Sequence, residues 1–254
     1  MPGPLKILDL FSGIGGFSLG MEKTGGFETV AFCEIEPHRR LILNKHWPKV
    51  PCYHDVKKIT GKELARDGIK PDIITGGFPC QDLSSSGTGQ GLEGERSGLF
   101  YQIIRLIGEI RPKYVILENS PNLIGGNDGR WAREVFGQLA KVGYDAEWRI
   151  IPASYFGAPH ERKRVWIIAY PNGVRQQGPW QLVDAIDPEA YPFREASGLI
   201  HAFQEDSLPF LCGGHDGVSS KLDQAALTGL GNAVIPIIPE LIGHAILATE
   251  INQI

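Results

Sequence analysis

The sequence predicts an α/β fold with a doubly wound, mostly parallel sheet and a small irregular second lobe. Two observations carry this prediction. Short apolar runs alternate with amphipathic stretches along the first 170 residues, as is typical of strands alternating with helices. After that point Pro, Gln, Gly and Asp replace the periodic pattern. A chain of 254 residues is long enough for one sizeable domain with such an appendage.

Each predicted element rests on a local pattern. KILDL is an apolar run that enters a glycine turn, DIIT runs into Gly76-Gly77, and YVIL is again short and apolar. Residues 99–110 have apolar side chains at helical spacing, and Pro239 suits the first turn of a last helix. We therefore expect strands at 6–10, 28–32, 72–75, 114–117, 148–151 and 165–169, and helices at 16–23, 37–47, 99–110, 130–141 and from about 239 to 250.

The pattern divides the chain into three segments. Residues 1–170 form the predicted α/β domain, 171–227 a small irregular lobe, and 228–254 a segment that returns to the α/β domain. The chain has no apolar run of about 18 residues and its four cysteines form no CxxC pair, so we expect neither a membrane span nor a metal site. We expect a cytoplasmic protein with reduced thiols.

The segment DLFSGIGGF, residues 9–17, marks a candidate ligand site at the junction of the first strand and first helix. In a doubly wound sheet a nucleotide-like ligand docks there, because glycines let the backbone approach and the helix offers free N–H groups. Glu34 follows Gly13 by 21 residues, the spacing of a carboxylate that grips ribose, and Ile35 could pack on adenine. A structural turn without a ligand remains the alternative. The glycines do not form the dinucleotide fingerprint GxGxxG.

Cys80 follows the DIIT strand and therefore belongs to the ligand side of a parallel sheet. Glycines at 87, 89, 91, 94 and 98 extend the segment after it into a long loop that could close over a substrate. Position alone leaves two interpretations open: a nucleophile, or a buried structural cysteine.

Two further features lie at strand ends. Glu118-Asn119 ends the YVIL strand, where a partly dry carboxylate could donate a proton. Arg162 and Arg164 precede the strand VWIIA, and alternate residues of a strand face one side, so both would point at one carbonyl or phosphate. A capping glutamate and a solvated charged edge are the alternatives.

Taken together and in this order, the motifs resemble those of the C5-cytosine DNA methyltransferases. The resemblance covers residues 5–170 and about 228–248 and implies the sheet type of the S-adenosylmethionine-dependent methyltransferases. It also implies that residues 1–170 are the catalytic and cofactor-binding domain, to which 228–254 returns, and that 171–227 is a small target-recognition lobe. His160 stands where the family usually has Gln. The motifs that carry the resemblance are DLFSGIGGFSLG (9–20), Cys33-Glu34-Ile35, His54-Asp55-Val56, GGFPCQDLSSSG (76–87), GERSGLF (94–100), Glu118-Asn119, the two arginines, and GLGNAVIP (229–236).

The resemblance implies roles for individual residues. Cys80 would add to carbon 6 of a flipped-out cytosine, Glu118 would hold or protonate N3, and Arg164 would bind O2. The remaining members of the implied catalytic set are Arg162, Pro79 and Asn119. S-adenosylmethionine is the implied cofactor, and the residues implied to bind it are Phe11, Ser12, Gly13, Gly15, Gly16, Glu34, Ile35, Asp55, Val56, Gly77, Leu99, Asn232 and Ala233.

The implied substrate is double-stranded DNA, and we expect a monomer in a bacterial or phage-encoded setting such as a restriction-modification system. Three other functions stay open at this stage. They are a tRNA cytosine-5 methyltransferase, a DNA-binding relative with a decayed site, and a nicotinamide oxidoreductase. A net charge of −4 indicates that any DNA contact is a local basic groove rather than bulk charge.

Replacing Cys80 with Ala tests the covalent hypothesis directly. We expect Cys80→Ala to abolish methyl transfer while leaving cofactor binding intact, because only the thiolate is lost. Transfer of labelled methyl to unmethylated duplex DNA, with cofactor binding measured on the same sample, checks this. Wild-type turnover by the variant would exclude a covalent mechanism through Cys80.

Overall fold

A computed structural model describes residues 3–78, 97–156, 161–173 and 233–251. The strands are β1 (Leu5–Leu10), β2 (Phe27–Cys33), β3 (Cys52–Tyr53), β4 (Ile73–Gly77), β5 (Tyr114–Asn119), β6 (Tyr144–Ile151) and β7 (Arg164–Pro171). The helices are α1 (Gly16–Lys23), α2 (Pro37–His46), α3 (Gly61–Arg66), α4 (Phe100–Ile110), α5 (Asn122–Gly125), α6 (Arg130–Lys141) and α7 (Ile237–Ile251), and short 3₁₀ turns span Ser97–Leu99, Gly126–Gly129 and Ala153–Phe156.

The described strands form one sheet in the order β3-β2-β1-β4-β5-β7-β6. The first five strands in this order are parallel, whereas β7 runs antiparallel to both β5 and β6. Strands β2 and β3 follow β1 on one side of it, whereas β4 and the later strands lie on the other side. The chain therefore reverses its direction of winding between β1 and β4, and a crevice at the carboxyl ends of these strands is where such sheets bind ligands.

Apolar residues cover both faces of the sheet, as near-continuous apolar strands require. One face packs on α3, α4 and α6, with Leu8 and Leu10 among its fully buried strand residues. The other face packs on α1 and α7, where Phe17, Met21 and Ile242 surround Ile7 of β1. Successive residues of β1 thus belong to opposite layers, which confirms the prediction of a buried strand with helices on both sides.

The predicted strands and helices are confirmed, and their bounds differ where pairing continues. β6 begins at Tyr144, before the predicted residue 148, because it pairs with β7 along its whole length, from Tyr144 opposite Pro171. β7 ends at Pro171 and so extends one residue past 170, the predicted end of the first segment. The two-residue β3 and the short α3 and α5 were not predicted, since each is shorter than a sequence period can indicate. Most of the predicted second lobe, 174–227, lies outside the described residues. In the described part of the chain, no helix is long and apolar enough to cross a membrane.

A buried carboxylate joins three of these elements. Asp9 of β1 is fully buried; its Oδ2 accepts a hydrogen bond from Ser18 Oγ of α1 at 2.9 Å, and its Oδ1 accepts one from Thr75 Oγ1 of β4 at 2.8 Å. Burial raises the pKa of Asp9 from 3.8 to about 7, although the hydrogen bonds from Thr75 and Ser18 act to lower it. Asp9 thus joins α1 and the adjacent strand β4 to the end of β1 by hydrogen bonds.

The raised pKa of Asp9 makes stability depend on pH. Between about pH 4 and pH 7 the folded state holds a proton that the unfolded state has lost, so the free energy of unfolding falls as pH rises through this window. Asp9→Asn removes this titration. We expect the advantage of wild type over Asp9→Asn to shrink by up to about 1.4 kcal/mol per pH unit between pH 4 and 7, and to be constant above. Urea unfolding of both proteins at pH 5, 6, 7 and 8 measures it. A difference independent of pH would contradict a protonated Asp9.

Candidate functional site

The turn between β1 and α1 has a backbone that only glycine adopts easily. Gly13 and Gly15 have φ of 58° and 89°, in the left-handed region. Ser12 closes the turn, because its Oγ donates to the Asp9 carbonyl at 2.6 Å and accepts from the Cys33 N–H at 3.2 Å. The turn is therefore tied to the ends of both β1 and β2. Phe11, a non-glycine residue at φ 53°, carries the strain of this turn.

Trp47 packs against the turn and was missed by the sequence analysis. A Cβ added at Gly15 would lie 2.7 Å from the Trp47 ring, so the indole fills the space that glycine leaves. Glu22 of α1 fixes the indole by accepting from Trp47 Nε1 at 2.9 Å, and its other oxygen accepts from the Thr29 N–H at 2.9 Å. No motif marks this tryptophan, because it lies just after α2 in sequence and reaches the turn only in the fold.

Glu34 lies at the end of β2 and faces the turn. Its side chain is almost fully buried; Oε2 accepts from the Gly13 N–H at 2.7 Å and Oε1 from the Glu36 N–H at 2.9 Å. Arg39 of α2 lies 3.8 Å from the same carboxylate. The spacing of 21 residues thus brings Glu34 and Gly13 together, as the sequence predicted.

The turn fits an adenosyl cofactor. An ionised carboxylate has about four acceptor positions, so Glu34 keeps capacity for ribose hydroxyls beside its two N–H partners. A Cβ added at Gly13 would meet nothing within 4 Å, which shows open space above the turn. Ile35 is 56% exposed and offers an apolar surface beside Glu34. The carboxylate suits the ribose hydroxyls, the apolar surface suits the adenine ring, and the open space leaves room for both.

Of the other predicted cofactor residues, one lies near the end of β2 and the rest pack in the core or on neighbouring backbone. Asp55 is half-buried, and its charge acts to raise the pKa of Cys33 at the end of β2, which places it near the Glu34 end of the sheet. Val56 is buried in the core, and its carbonyl accepts from Arg105 Nη2 at 3.0 Å. Leu99 is half-buried against the same core. Gly16 packs closely on Val234, where a Cβ would lie 2.4 Å from the Val234 carbonyl oxygen.

An ion pair forms at the carboxyl end of β5. Glu118 Oε1 lies 2.9 Å from Arg164 Nε, and Glu118 Oε2 lies against β4, 3.2 Å from where a Cβ of Gly77 would be. Burial raises the pKa of Glu118, while the charges of Arg164 and Arg162 act to lower it. Burial thus favours the protonated form of Glu118, and the proton-donor role expected from the sequence stays a prediction.

Asn119 connects this pair to the strand that precedes Cys80. Its side chain is buried, and Nδ2 donates to the Phe78 carbonyl at 3.1 Å while Oδ1 accepts from the Ser120 N–H at 2.8 Å. Phe78 packs on Phe100 with ring centroids 5.2 Å apart. The backbone two residues before Cys80 is thereby fixed beside Glu118. Pro79, Cys80, His160 and Asn232 themselves lie outside the described residues.

The two arginines do not lie on one face of a strand, so that part of the prediction was wrong. Only Arg164 belongs to β7; Arg162 precedes the strand with φ 27°, which breaks the alternation. Arg162 Nη2 donates to the carbonyl of Ala233 at 2.8 Å, on the segment that leads to α7. Burial and the neighbouring Arg164 lower the pKa of Arg162, and Glu118 acts to raise it. The two arginines are therefore close enough to affect each other's charge, but Arg164 pairs with Glu118 and Arg162 donates to the Ala233 carbonyl.

Among the described residues, no group of three or more His, Cys, Asp or Glu could hold a metal ion.

Fold and site together define an α/β protein with a glycine turn at residues 11–15, here named the cofactor turn because it fits an adenosyl group, and with a charged pair at the carboxyl end of β5. The chain belongs to the C-5 cytosine-specific DNA methylase family, whose family model matches residues 5–211. This confirms the resemblance on which the sequence analysis relied.

Individual relatives agree with the family. The chain is 36% identical over 169 residues to the Type II methyltransferase M2.BsuMI of Bacillus subtilis, covering 65% of this chain and 42% of that protein. It is 34% identical over 168 residues to the Type II methyltransferase M.MspI of Moraxella, covering 66% and 39%. The chain thus spans less than half the length of these two relatives.

Solved structures share the fold. A protein classed as a DNA modification methyltransferase from an E. coli prophage superposes with a TM-score of 0.57 at 26% identity, covering 70% of this chain and 50% of that one. A Dnmt2 methyltransferase of S. pombe superposes with a TM-score of 0.54 at 23% identity, covering 68% and 52%. The second likeness concerns the fold alone.

Glu34→Gln tests the cofactor turn. The substitution removes the charge and sets an amide N–H₂ against the N–H groups of Gly13 or Glu36, so we expect about 10- to 100-fold weaker binding of S-adenosylhomocysteine. Titration calorimetry measures the dissociation constant. Glu36→Gln is the matched control, because Glu36 is exposed two residues away, and it should bind as wild type does. If Glu34→Gln bound S-adenosylhomocysteine as tightly as Glu36→Gln does, the cofactor would not bind at Glu34.

Proposed function

We propose that this protein transfers a methyl group from S-adenosylmethionine to carbon 5 of cytosine in DNA. The observation that carries the proposal is the Glu118–Arg164 pair at the carboxyl end of β5, beside the last strand before Cys80 and across the switch point from the cofactor turn. Family membership supports the reaction class. The Type II methyltransferases among the relatives support DNA as the substrate and a restriction-modification setting.

Carbon 5 of cytosine is a weak nucleophile, and the protein must raise its electron density. In the proposed mechanism the Cys80 thiolate forms a bond to carbon 6, and the displaced π electrons move toward N3 and O2. Carbon 5 then becomes enamine-like and can attack an electrophile. S-adenosylmethionine, when bound, supplies that electrophile as a sulfonium methyl group. After transfer, a base such as water takes the carbon-5 proton, the electron pair of that C–H bond restores the ring double bond and expels the Cys80 thiolate, and N3 returns its proton to Glu118.

Glu118 and Arg164 neutralise the charge that this attack creates. Burial favours the protonated form of Glu118, which can hydrogen-bond N3 and deliver a proton to it. The Arg164 guanidinium, 2.9 Å from Glu118, is close enough to reach the neighbouring O2 of the same ring edge. A neutral acid beside a fixed cation suits a ring edge that presents N3 and O2 side by side.

The arrangement also requires that the cytosine leave the DNA stack, because a base inside a duplex cannot reach a site at the sheet edge. Asn119 supports the proposed pocket by holding the Phe78 carbonyl, which fixes the approach to Pro79 and Cys80. The hypothesis that the segment 84–99 closes on the flipped base stays a prediction, because most of that segment lies outside the described residues.

The activity is tested with labelled S-adenosylmethionine and three parallel substrates: unmethylated duplex DNA, the same DNA fully methylated at carbon 5, and total tRNA. We expect label only in the unmethylated duplex, recovered as 5-methylcytosine after hydrolysis. Label in tRNA alone would keep the chemistry and change the substrate. Label recovered as another methylated base would refute the proposed reaction.

Glu118→Gln tests the acid. The amide can still donate to N3 but cannot deliver a proton, so we expect kcat to fall about 10²- to 10⁴-fold. Wild type should lose rate as pH rises through the raised pKa of Glu118, while loss of the Cys80 thiolate lowers the rate at low pH. The variant should lack the falling limb at high pH. Single-turnover rates between pH 5.5 and 9 measure both profiles, and an unchanged falling limb in Glu118→Gln would assign it to another group.

A further inference from the structure

We propose that Arg162 is a positioning residue that holds the segment Ala233–Pro236 against α1, and so couples the cofactor turn to the Glu118–Arg164 pair. The inference rests on the proposed function only for the identity of the cofactor. It gives Arg162 a role distinct from that of Arg164, although the two arginines are separated by a single residue.

The first contact lies on the arginine side of the segment. Arg162 Nη2 donates to the Ala233 carbonyl at 2.8 Å. The backbone of Arg162, at φ 27°, lies in a region that L side chains rarely adopt, and such conformations persist where surrounding contacts hold them. The preceding residue is also held, since the Glu161 carbonyl accepts from the Ala153 N–H at 2.6 Å. The geometry thus directs the guanidinium toward the C-terminal segment.

The second contact lies on the opposite side, where the segment meets glycines of α1. A Cβ at Gly16 would lie 2.4 Å from the Val234 carbonyl oxygen, and a Cβ at Gly20 would lie 2.1 Å from the Pro236 carbonyl oxygen. Both distances are too short for any side chain, so the segment lies directly on the helix that begins at the cofactor turn. A shift of Ala233–Pro236 would therefore free the first turn of α1.

The third relation joins Arg162 to the charged site. The charges of Arg164 and Glu118 both act on the Arg162 guanidinium, which therefore lies in the same electrostatic neighbourhood. Contacts thus run without a gap from the turn through α1 and Ala233–Pro236 to Arg162. A residue on the substrate side of the protein supports the geometry on the cofactor side.

The coupling is tested with Arg162→Gln, and Arg164→Gln is the matched control. Both variants lose one positive charge at the same site, but only the first loses the bond to Ala233. We expect Arg162→Gln to weaken binding of S-adenosylhomocysteine, measured without DNA, by about tenfold or more, and Arg164→Gln to bind it as wild type does. Wild-type affinity in Arg162→Gln, in a protein that binds the cofactor, would overturn the proposal.

A second readout needs no cofactor. The N–H groups of Ile238 and Glu240 donate to the Ile235 and Pro236 carbonyls at 3.2 and 3.1 Å, so their hydrogen exchange reports directly on the segment. We expect faster exchange at both amides in Arg162→Gln, with no change in Arg164→Gln or at Ile116 in the central strand β5. Equal exchange in the two variants would overturn the proposal. If wild type binds no S-adenosylhomocysteine, the proposed function fails and the exchange data still decide the role of Arg162.

Discussion

The fold depends on a carboxylate that has no access to water. Asp9 receives hydroxyl hydrogen bonds from Ser18 and Thr75, and these three residues come from β1, α1 and β4. β1 and β4 are the two strands between which the sheet reverses its winding. The ligand crevice of such a sheet opens at this place, so the hydrogen bonds of Asp9 join the two strands that border it. The pKa of Asp9 is raised because burial removes water from the side chain and disfavours its charged form.

The two halves of the site use charge in opposite ways. On the cofactor side, Glu34 is satisfied by backbone N–H groups that the turn directs toward it, an arrangement suited to recognition of hydroxyls. At the carboxyl end of β5, where we propose that the substrate binds, burial raises the pKa of Glu118 while the charges of Arg164 and Arg162 act to lower it. A group that must transfer a proton benefits from such a balance, whereas a group that only binds does not. Sequence order places both glutamates at strand ends, and the environment alone separates their roles.

Much of the fold and the contact between the glycine turn and Glu34 could be predicted from sequence, because the information there is local. Strand periods, the glycine turn and the 21-residue spacing to Glu34 all depend on short-range geometry, and the structure confirms each of them. The relation of the two arginines could not be predicted, since the positive φ of Arg162 leaves no trace in residue types. Trp47 was missed for a similar reason: its contact with Gly15 is made across the fold, by a residue type that most often serves the core. The roles assigned to Cys80, Glu118 and the other catalytic and cofactor-binding residues remain predictions.

The packing of α7 on α1 has a consequence for how the chain acquires its structure. The apolar side of α1, with Phe17 and Met21, is covered by residues such as Ile242, more than 200 positions later in the chain. During synthesis at the ribosome the first helix therefore emerges long before its cover. We expect the cofactor turn of a nascent chain to be assembled only when the last helix arrives, since loop closure over such a separation gives little local gain.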